Sequence, residues 1–407
     1  MKKKLFFALA IASLGFTFSC SDSDPVNPVN PGEGKEMEKT GELKDNETWT
    51  AGNVYILKGK VIVPEGKTLT IEPGTIIKGD KGSDVNASAL IVDQGAKLIA
   101  NGTADKPIIF TSIDDNIKVG EKSGTNLSQA NVGLWGGVIV LGNAPISVAG
   151  DAKTANIEGI PANAPYGQYG GTNAADNSGS LKYVSIRHGG ITIGQDNEIN
   201  GLTLGGVGSG TTIDNIEIVG NQDDGIEWFG GSVNATNLLT WAAGDDGLDV
   251  DQAYSGTIKN ALVIKGDDSG AALELDGPEG SKATEKSFTM ENITINNNNN
   301  KSLVADLRDG VLANLKNIFA YNLTPEAVIK VNGPDSQAEL KNGRITFANW
   351  EVLLPTGGSL NTFIVDAKGE EAKFISNAKA ITAAADAKVG ADLTAFGWTY
   401  AKSKKAF

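Results

Sequence analysis

Carboxylates are the side chains in this sequence that are numerous and regular enough to do chemistry together. Asp223-Asp224-Gly225-Ile226-Glu227 recurs 22 residues later as Asp245-Asp246-Gly247-Leu248-Asp249. Asp267-Asp268 follows after another 22, with Leu273-Glu274-Leu275-Asp276 slightly delayed. Between Asp223 and Asp276 stand eleven acidic residues and two lysines, a net −9 of the whole chain's −14. Three chemistries fit such a strip. The Asp-Asp pairs can accept hydrogen bonds from turn amides while water screens the rest. Asp223, Asp224, Asp245, Asp246, Asp267 and Asp268 can hold calcium, a hard cation that takes about six to eight oxygens. Or the acids are catalytic, with Asp224, Asp245, Asp246 and the single histidine, His188, as candidates. An inverting glycosidase needs its carboxyls ~6.5–9.5 Å apart, a distance that neighbouring repeats could provide.

The elements that must position these acids are short strands. Alternation sends Ile226, Leu248, Val250, Leu273 and Leu275 into a core, so Glu227, Asp249, Asp251, Glu274 and Asp276 point outward as candidate ligand-binding residues. Out of phase with the acidic repeat runs an asparagine followed by an apolar-x-apolar strand. It occurs at Asn215, Asn237, Asn260, Asn292 and Asn317, with a weaker sixth at Asn342. A fixed period of this length means a stacked architecture. No helical pattern of 10–15 residues separates the strands, as a βαβ fold requires. The blades of a propeller need ~40 residues each. The expected fold is therefore all-β: a right-handed parallel β-helix, a solenoid with one coil per repeat and asparagines laddered at one turn. Coils would stack ~4.8 Å apart and line the carboxylates up outside. Ala378 to Ala395, followed by Phe396, Trp398 and Tyr400, reads as a helical and aromatic cap on the open end.

Composition excludes much else. Glycine at 51 of 407 residues, 35 asparagines and three arginines do not suit a helical bundle. A net charge of −14 excludes nucleic acid as a partner, because phosphate binding needs clustered Lys and Arg. One cysteine excludes a disulfide framework, and one histidine the common His-based zinc and iron sites. Trp135, Trp228, Trp241 and Tyr254 could form a sugar-stacking platform, although Trp228 is in phase with core positions. Arg308, beside Asp306 and Asp309, reads as ion-paired.

Residues 1–20 read as a lipoprotein signal peptide. Lys2, Lys3 and Lys4 precede the apolar run Leu5–Phe18, too short to span a ~30 Å hydrocarbon core comfortably. The chain's one cysteine, Cys20, follows at the position of an acylated residue, and two or more lipid chains there would give a stable anchor. Residues 21–40, rich in Pro and Asn, read as a semi-rigid tether. Residues 41–377 read as the β-helix and 378–407 as the cap. The partners expected are the membrane, through the lipid, and a glycan or an outer-membrane protein.

Ser21-Asp22-Ser23-Asp24 resembles the short acidic tag that directs lipoproteins of the Bacteroidota to the outer face of the outer membrane. Thr68–Thr75 (TLTIEPGT), Leu134–Gly142 (LWGGVIVLG) and Asp223–Gly231 (DDGIEWFGG) resemble a family of β-helix lipoproteins and secreted proteins from Bacteroidota and marine bacteria. That resemblance covers residues 43–400 and implies fold and location, since the family has no settled activity. Asp223-Asp224-Gly225-Ile226 and Gly244-Asp245-Asp246-Gly247-Leu248 are also similar to the two aspartate motifs of polygalacturonase-type glycosidases. The Gly-His-Gly and Arg-x-Lys of those enzymes have no counterpart after Asp246, and His188 lies upstream. Two functions are thus carried forward: a binding or structural module for glycan and calcium, or a polysaccharide hydrolase or lyase.

Overall fold

The computed structural model describes residues 34–83, 86–161, 163–192, 199–281 and 287–407; the signal segment, Cys20 and most of the tether lie outside the described residues. The chain winds as a right-handed parallel β-helix. Each central coil places a short strand in a first sheet, then a long strand that bends once and serves a second and a third sheet. Ile226–Phe229 is followed by Ala235–Trp241, and the next coil repeats this as Leu248–Asp251 and Thr257–Ile264. Pairing is parallel throughout the solenoid: Ile226 faces Leu248, then Leu273, Ala305 and Ile329. These five side chains are fully buried and stack in one inward file.

The bend explains the asparagines. Asn215, Asn237, Asn260, Asn292, Asn317 and Asn349 all have φ between 54° and 61°. Asparagine tolerates this left-handed conformation better than other side chains with a Cβ. The amides form a ladder, Asn260 donating to Asn237 (2.6 Å), Asn317 to Asn292 (3.0 Å) and Asn349 to Asn317 (3.0 Å). The sixth rung is Asn349, not the expected Asn342. The intervening helix Gly333–Lys341 displaces the repeat, and Asn342 caps that helix. One coil departs from the rule: Tyr183, at φ 50°, occupies the rung before Asn215.

Both ends differ from the sequence reading. The first strand, Lys35–Glu42, already starts within the expected tether and pairs with Asn53–Val63. Its exposed Lys35, Glu36 and Glu38 discourage pairing with another chain at the open edge. At the other end the short helices Leu360–Phe363 and Ala372–Ile375 supply Phe363, which packs on Phe374, and Phe374, which packs on Phe347 and Trp350. The expected helix over Ala378–Ala395 is instead the strand Ala378–Ala380 followed by turns. From there the chain runs back along the flank. Gly390 N–H bonds to Asn317 O, Asp392 N–H to Asn260 Oδ1, and Tyr400 N–H to Glu217. The helical and aromatic cap is present as the short helices Leu393–Phe396 and Tyr400–Ser403 with the buried Phe396, Trp398 and Tyr400, but it covers the side of the solenoid rather than its end. Among the described residues, no helix is long and apolar enough to cross a membrane.

Candidate functional site

The first sheet carries the acids. Its outward positions form a file that reads Ile62, Ile91, Ile139, Thr203, Glu227, Asp249, Glu274, Asp306 and Lys330 from one coil to the next. The isoleucines are covered by the segment around Ile157, Ile160 and Tyr169. Where that cover ends, four successive coils each present a carboxylate. Two residues further along the strands lie Asp251 and Asp276, then Arg308. Its guanidinium bonds Glu274 and sits 3.0 Å from Asp276. At the turn before the strands, Asp246 N–H donates to Asp224 Oδ1 at 2.8 Å. Three rows of acid therefore run side by side along a trough.

Glu227, Asp249, Asp251, Glu274 and Asp276 do point away from the core, but they are not solvated. Glu227 is only 7 % exposed and the other four are half-buried. Asn200 arrives from a neighbouring coil and donates to Glu227 and to Thr203 Oγ1. The wall on one side is the segment 143–170, from which Tyr169 Oη donates to Gln252 (2.9 Å). The loop 113–132 does not form a second wall. It lies over His188 and Arg187, whose partners are Asn131 O and Lys122 O.

This burial has an electrostatic consequence. Desolvation, then the charge of Asp223, pushes Asp224 well above the usual carboxylate range. Desolvation with Asp224 nearby does the same to Glu227, and desolvation with Glu227 nearby to Asp249. Asp246 is pushed up to about 10 by burial and Asp224. Burial raises Asp251 to about 8, and Asp276 to about 7 against the pull of Arg308. Asp224, Glu227 and Asp249 each bring an oxygen within 4.8 Å of the others, as do Asp223, Asp224 and Asp245. Among the described residues, Asn200 Oδ1, Asp249 Oδ1, Asp276 Oδ1 and Asp306 Oδ1 are buried without a hydrogen-bond partner. Such atoms are costly unless something pairs with them.

Several expected site residues lie elsewhere. Leu273 pairs with Leu248, so Gly270 and Ala271, not Asp267 and Asp268, stand beside Asp245 and Asp246. The coil carries three extra residues, which move Asp267 and Asp268 out to an exposed turn with Asn298. A side chain on Gly270 would collide with the Asp245 and Asp246 carboxylates. Asp245 itself is exposed at the rim. His188 is a buried residue at a strand end, φ 63°, with Nδ1 2.9 Å from Asn131 O; burial lowers it to about 4, so its ring is neutral at pH 7. It does not meet the acids. Trp135, Trp228 and Tyr254 are fully buried, and Trp241 packs on Tyr400, so they form no open platform.

Two trough residues escaped the sequence reading. Asp306 was findable, because Ala305-Asp306-Leu307 repeats the apolar-acid-apolar pattern of Leu273-Glu274-Leu275. Asn200 was not, since nothing local marks it. In comparisons with known proteins, no curated protein and no solved structure matches the chain. A family model described as a pectate-lyase like beta helix domain matches residues 41–401. That span takes in the trough, the ladder and nearly all of the C-terminal return, and the chain belongs to the pectate-lyase-like β-helix family.

Proposed function

We propose that the protein is a lipid-anchored surface protein whose trough binds an acidic polysaccharide through calcium, without turnover. The observation that carries the reading is the trough's charge balance. Glu227, Asp249, Glu274 and Asp306 stack in one file beside Asp224, Asp246, Asp251 and Asp276, and among the described residues Arg308 forms ion pairs with two of these eight, Glu274 and Asp276. The donors are all oxygens, which fits calcium, and Asp224, Glu227 and Asp249 with the Asn200 amide would hold it. A uronate chain laid along the trough would bring carboxylates of its own to such ions. Polygalacturonate and alginate should bind the soluble form, residues 21–407, in millimolar calcium and be released by a chelator. Asp224→Asn with Asp249→Asn should remove that binding. Failure of every acidic polysaccharide to bind in calcium would refute the reading.

A hydrolase is the second reading, favoured by Asp246, whose carboxyl burial keeps protonated as a general acid must be. Two features weigh against it. A value of about 10 is far from the operating pH at which such an acid works best. The oxygens of Asp224, Glu227 and Asp249 also come within 4.8 Å, which argues against the ~6.5–9.5 Å of an inverting pair, though not against the ~5–5.5 Å of a retaining one. Release of reducing ends or of unsaturated uronates from polygalacturonate would establish turnover instead.

The anchor rests on the sequence of residues 1–24 alone. Cys20→Ala should leave a soluble or mislocalised precursor, whereas normal membrane fractionation of that variant would end the lipoprotein reading.

A further inference from the structure

The asparagine ladder is unfinished at its early end. Asn237 spends both halves of its amide, donating to Asp214 Oδ1 (2.9 Å) and accepting from Asn260 (2.6 Å). Asn215 has no such neighbour, because the preceding rung is Tyr183. Among the described residues its side chain has no hydrogen-bond partner; the residue is only 5 % exposed, and its amide stays open to solvent on the cavity side. What remains open of it faces a cavity of about 410 Å³ between the ladder and the returning C-terminal segment. The indole of Trp398, 8 % exposed, forms part of the wall, and its Nε1 also lacks a partner. Tyr183 meets Trp398 edge to face at 5.5 Å. Lys122, which gives one hydrogen bond to Ala104 O, and the exposed Asp105 complete the rim.

We propose that this cavity binds one residue of a neutral sugar. Its size falls within the roughly 300–1,000 Å³ of small-molecule sites. An amide offers a donor and an acceptor side by side, which matches a pair of adjacent hydroxyls. Asp105 adds an acceptor and Lys122 spare donors. Opposite charges at the rim favour a neutral polyhydroxyl over either ion, and the Tyr183–Trp398 pair supplies an apolar surface for the C–H face of a pyranose. Tyr183 holds a left-handed backbone that asparagine would take more easily, so the ladder gives up a rung where the aromatic wall stands. The cavity lies at the corner between the second and third sheets, the one corner of the coil that does not border the trough. It is therefore independent of the calcium reading.

The test uses the soluble form and the methyl glycosides of glucose, galactose, mannose, rhamnose and N-acetylglucosamine, followed by saturation-transfer NMR and tryptophan fluorescence, both with a chelator present. One or more should bind saturably. Asn215→Gly keeps the left-handed backbone without the amide and should weaken binding about tenfold or more, with the melting temperature held within a degree or two. Lys122→Ala should weaken it less, and Asp249→Asn in the trough not at all. No saturable binding by any of the five, or binding that survives Asn215→Gly, would overturn the proposal. So would binding that is lost with Asp249→Asn, since the trough would then be the site.

Discussion

Millimolar calcium should raise the melting temperature by several degrees, and by much more at pH 8 than at pH 5. The sign follows from the trough. Its carboxyls are raised from ~3.9 in the unfolded chain to about 7 for Asp276, about 8 for Asp251 and about 10 for Asp246. The folded state therefore binds more protons than the unfolded one. That contribution to stability is fully present below about pH 4 and is lost as pH rises through the folded values. Without metal, the protein should lose stability between pH 5 and 8. Calcium competes with those protons and replaces them. At a hundredfold excess over Kd it adds about 2.7 kcal/mol if it binds only the folded state. Each kcal/mol is worth roughly 2–4 °C in a domain of 150–250 residues and less in a longer one. Asp224→Asn with Asp249→Asn should abolish the calcium shift and make the metal-free protein more stable at pH 8, since it removes repulsion. Asp267→Asn with Asp268→Asn should change neither. Sodium at equal ionic strength is the control, because screening alone helps somewhat. Calcium performing no better than sodium would leave the trough without an ion.

Glu217→Ala should cost ~3–5 kcal/mol, the usual penalty for stranding one member of a buried ion pair. Glu217 is fully buried on the outer side of its strand, with the Arg187 guanidinium 3.9 Å away. It also accepts from Ser185 Oγ (2.6 Å), Tyr400 N–H (3.1 Å) and Ala401 N–H (2.8 Å). Arg187 in turn lies under the Tyr400 ring, 4.6 Å from its centroid. Removing the carboxylate leaves a buried cation and two backbone donors unpaired. A chemical melt would read the loss, and limited proteolysis should cut residues 390–407 free at rates far above wild type. Replacing both charges, as Arg187→Met with Glu217→Leu, should recover part of the loss. An unchanged melt and an intact C-terminus in Glu217→Ala would show that the aromatic contacts alone hold the segment.

The coil was legible because its two signals repeat: an asparagine at the left-handed bend and an acid after each apolar residue of the first sheet. Both failed where insertions broke the period. Three extra residues before Leu273 carried Asp267 and Asp268 away from Asp245 and Asp246, although the spacing of 22 looked intact. The helix Gly333–Lys341 made Asn342 look like a rung when Asn349 is the rung. Outward direction was also readable, but exposure was not. Glu227 faces out and is still covered, because Asn200 and the segment 143–170 come from other coils. Alternation reports which side of a strand a residue occupies, and says nothing about what lies above it. The alanines of 378–395 suggested a helix by propensity. Instead the stretch is a short strand and turns, and its second half is tied to the flank by Lys388, Gly390 and Ala391 N–H donating to Glu351, Asn317 O and Thr294 Oγ1.

The returning C-terminus changes how such a molecule can come apart. In a solenoid each coil touches only its neighbours, so the ends can fray and loss can spread one repeat at a time. Here residues 390–401 join Asn317, Thr294, Asn260, Glu217 and Leu127, which belong to coils spread along much of the stack. A thread sewn through the pages of a book has the same effect: no page can leave until the thread is cut. The interior coils are thereby coupled at long range through residues 390–401. With residues 390–401 docked, a coil in the middle of the stack cannot open without also breaking contacts to coils that are not its neighbours.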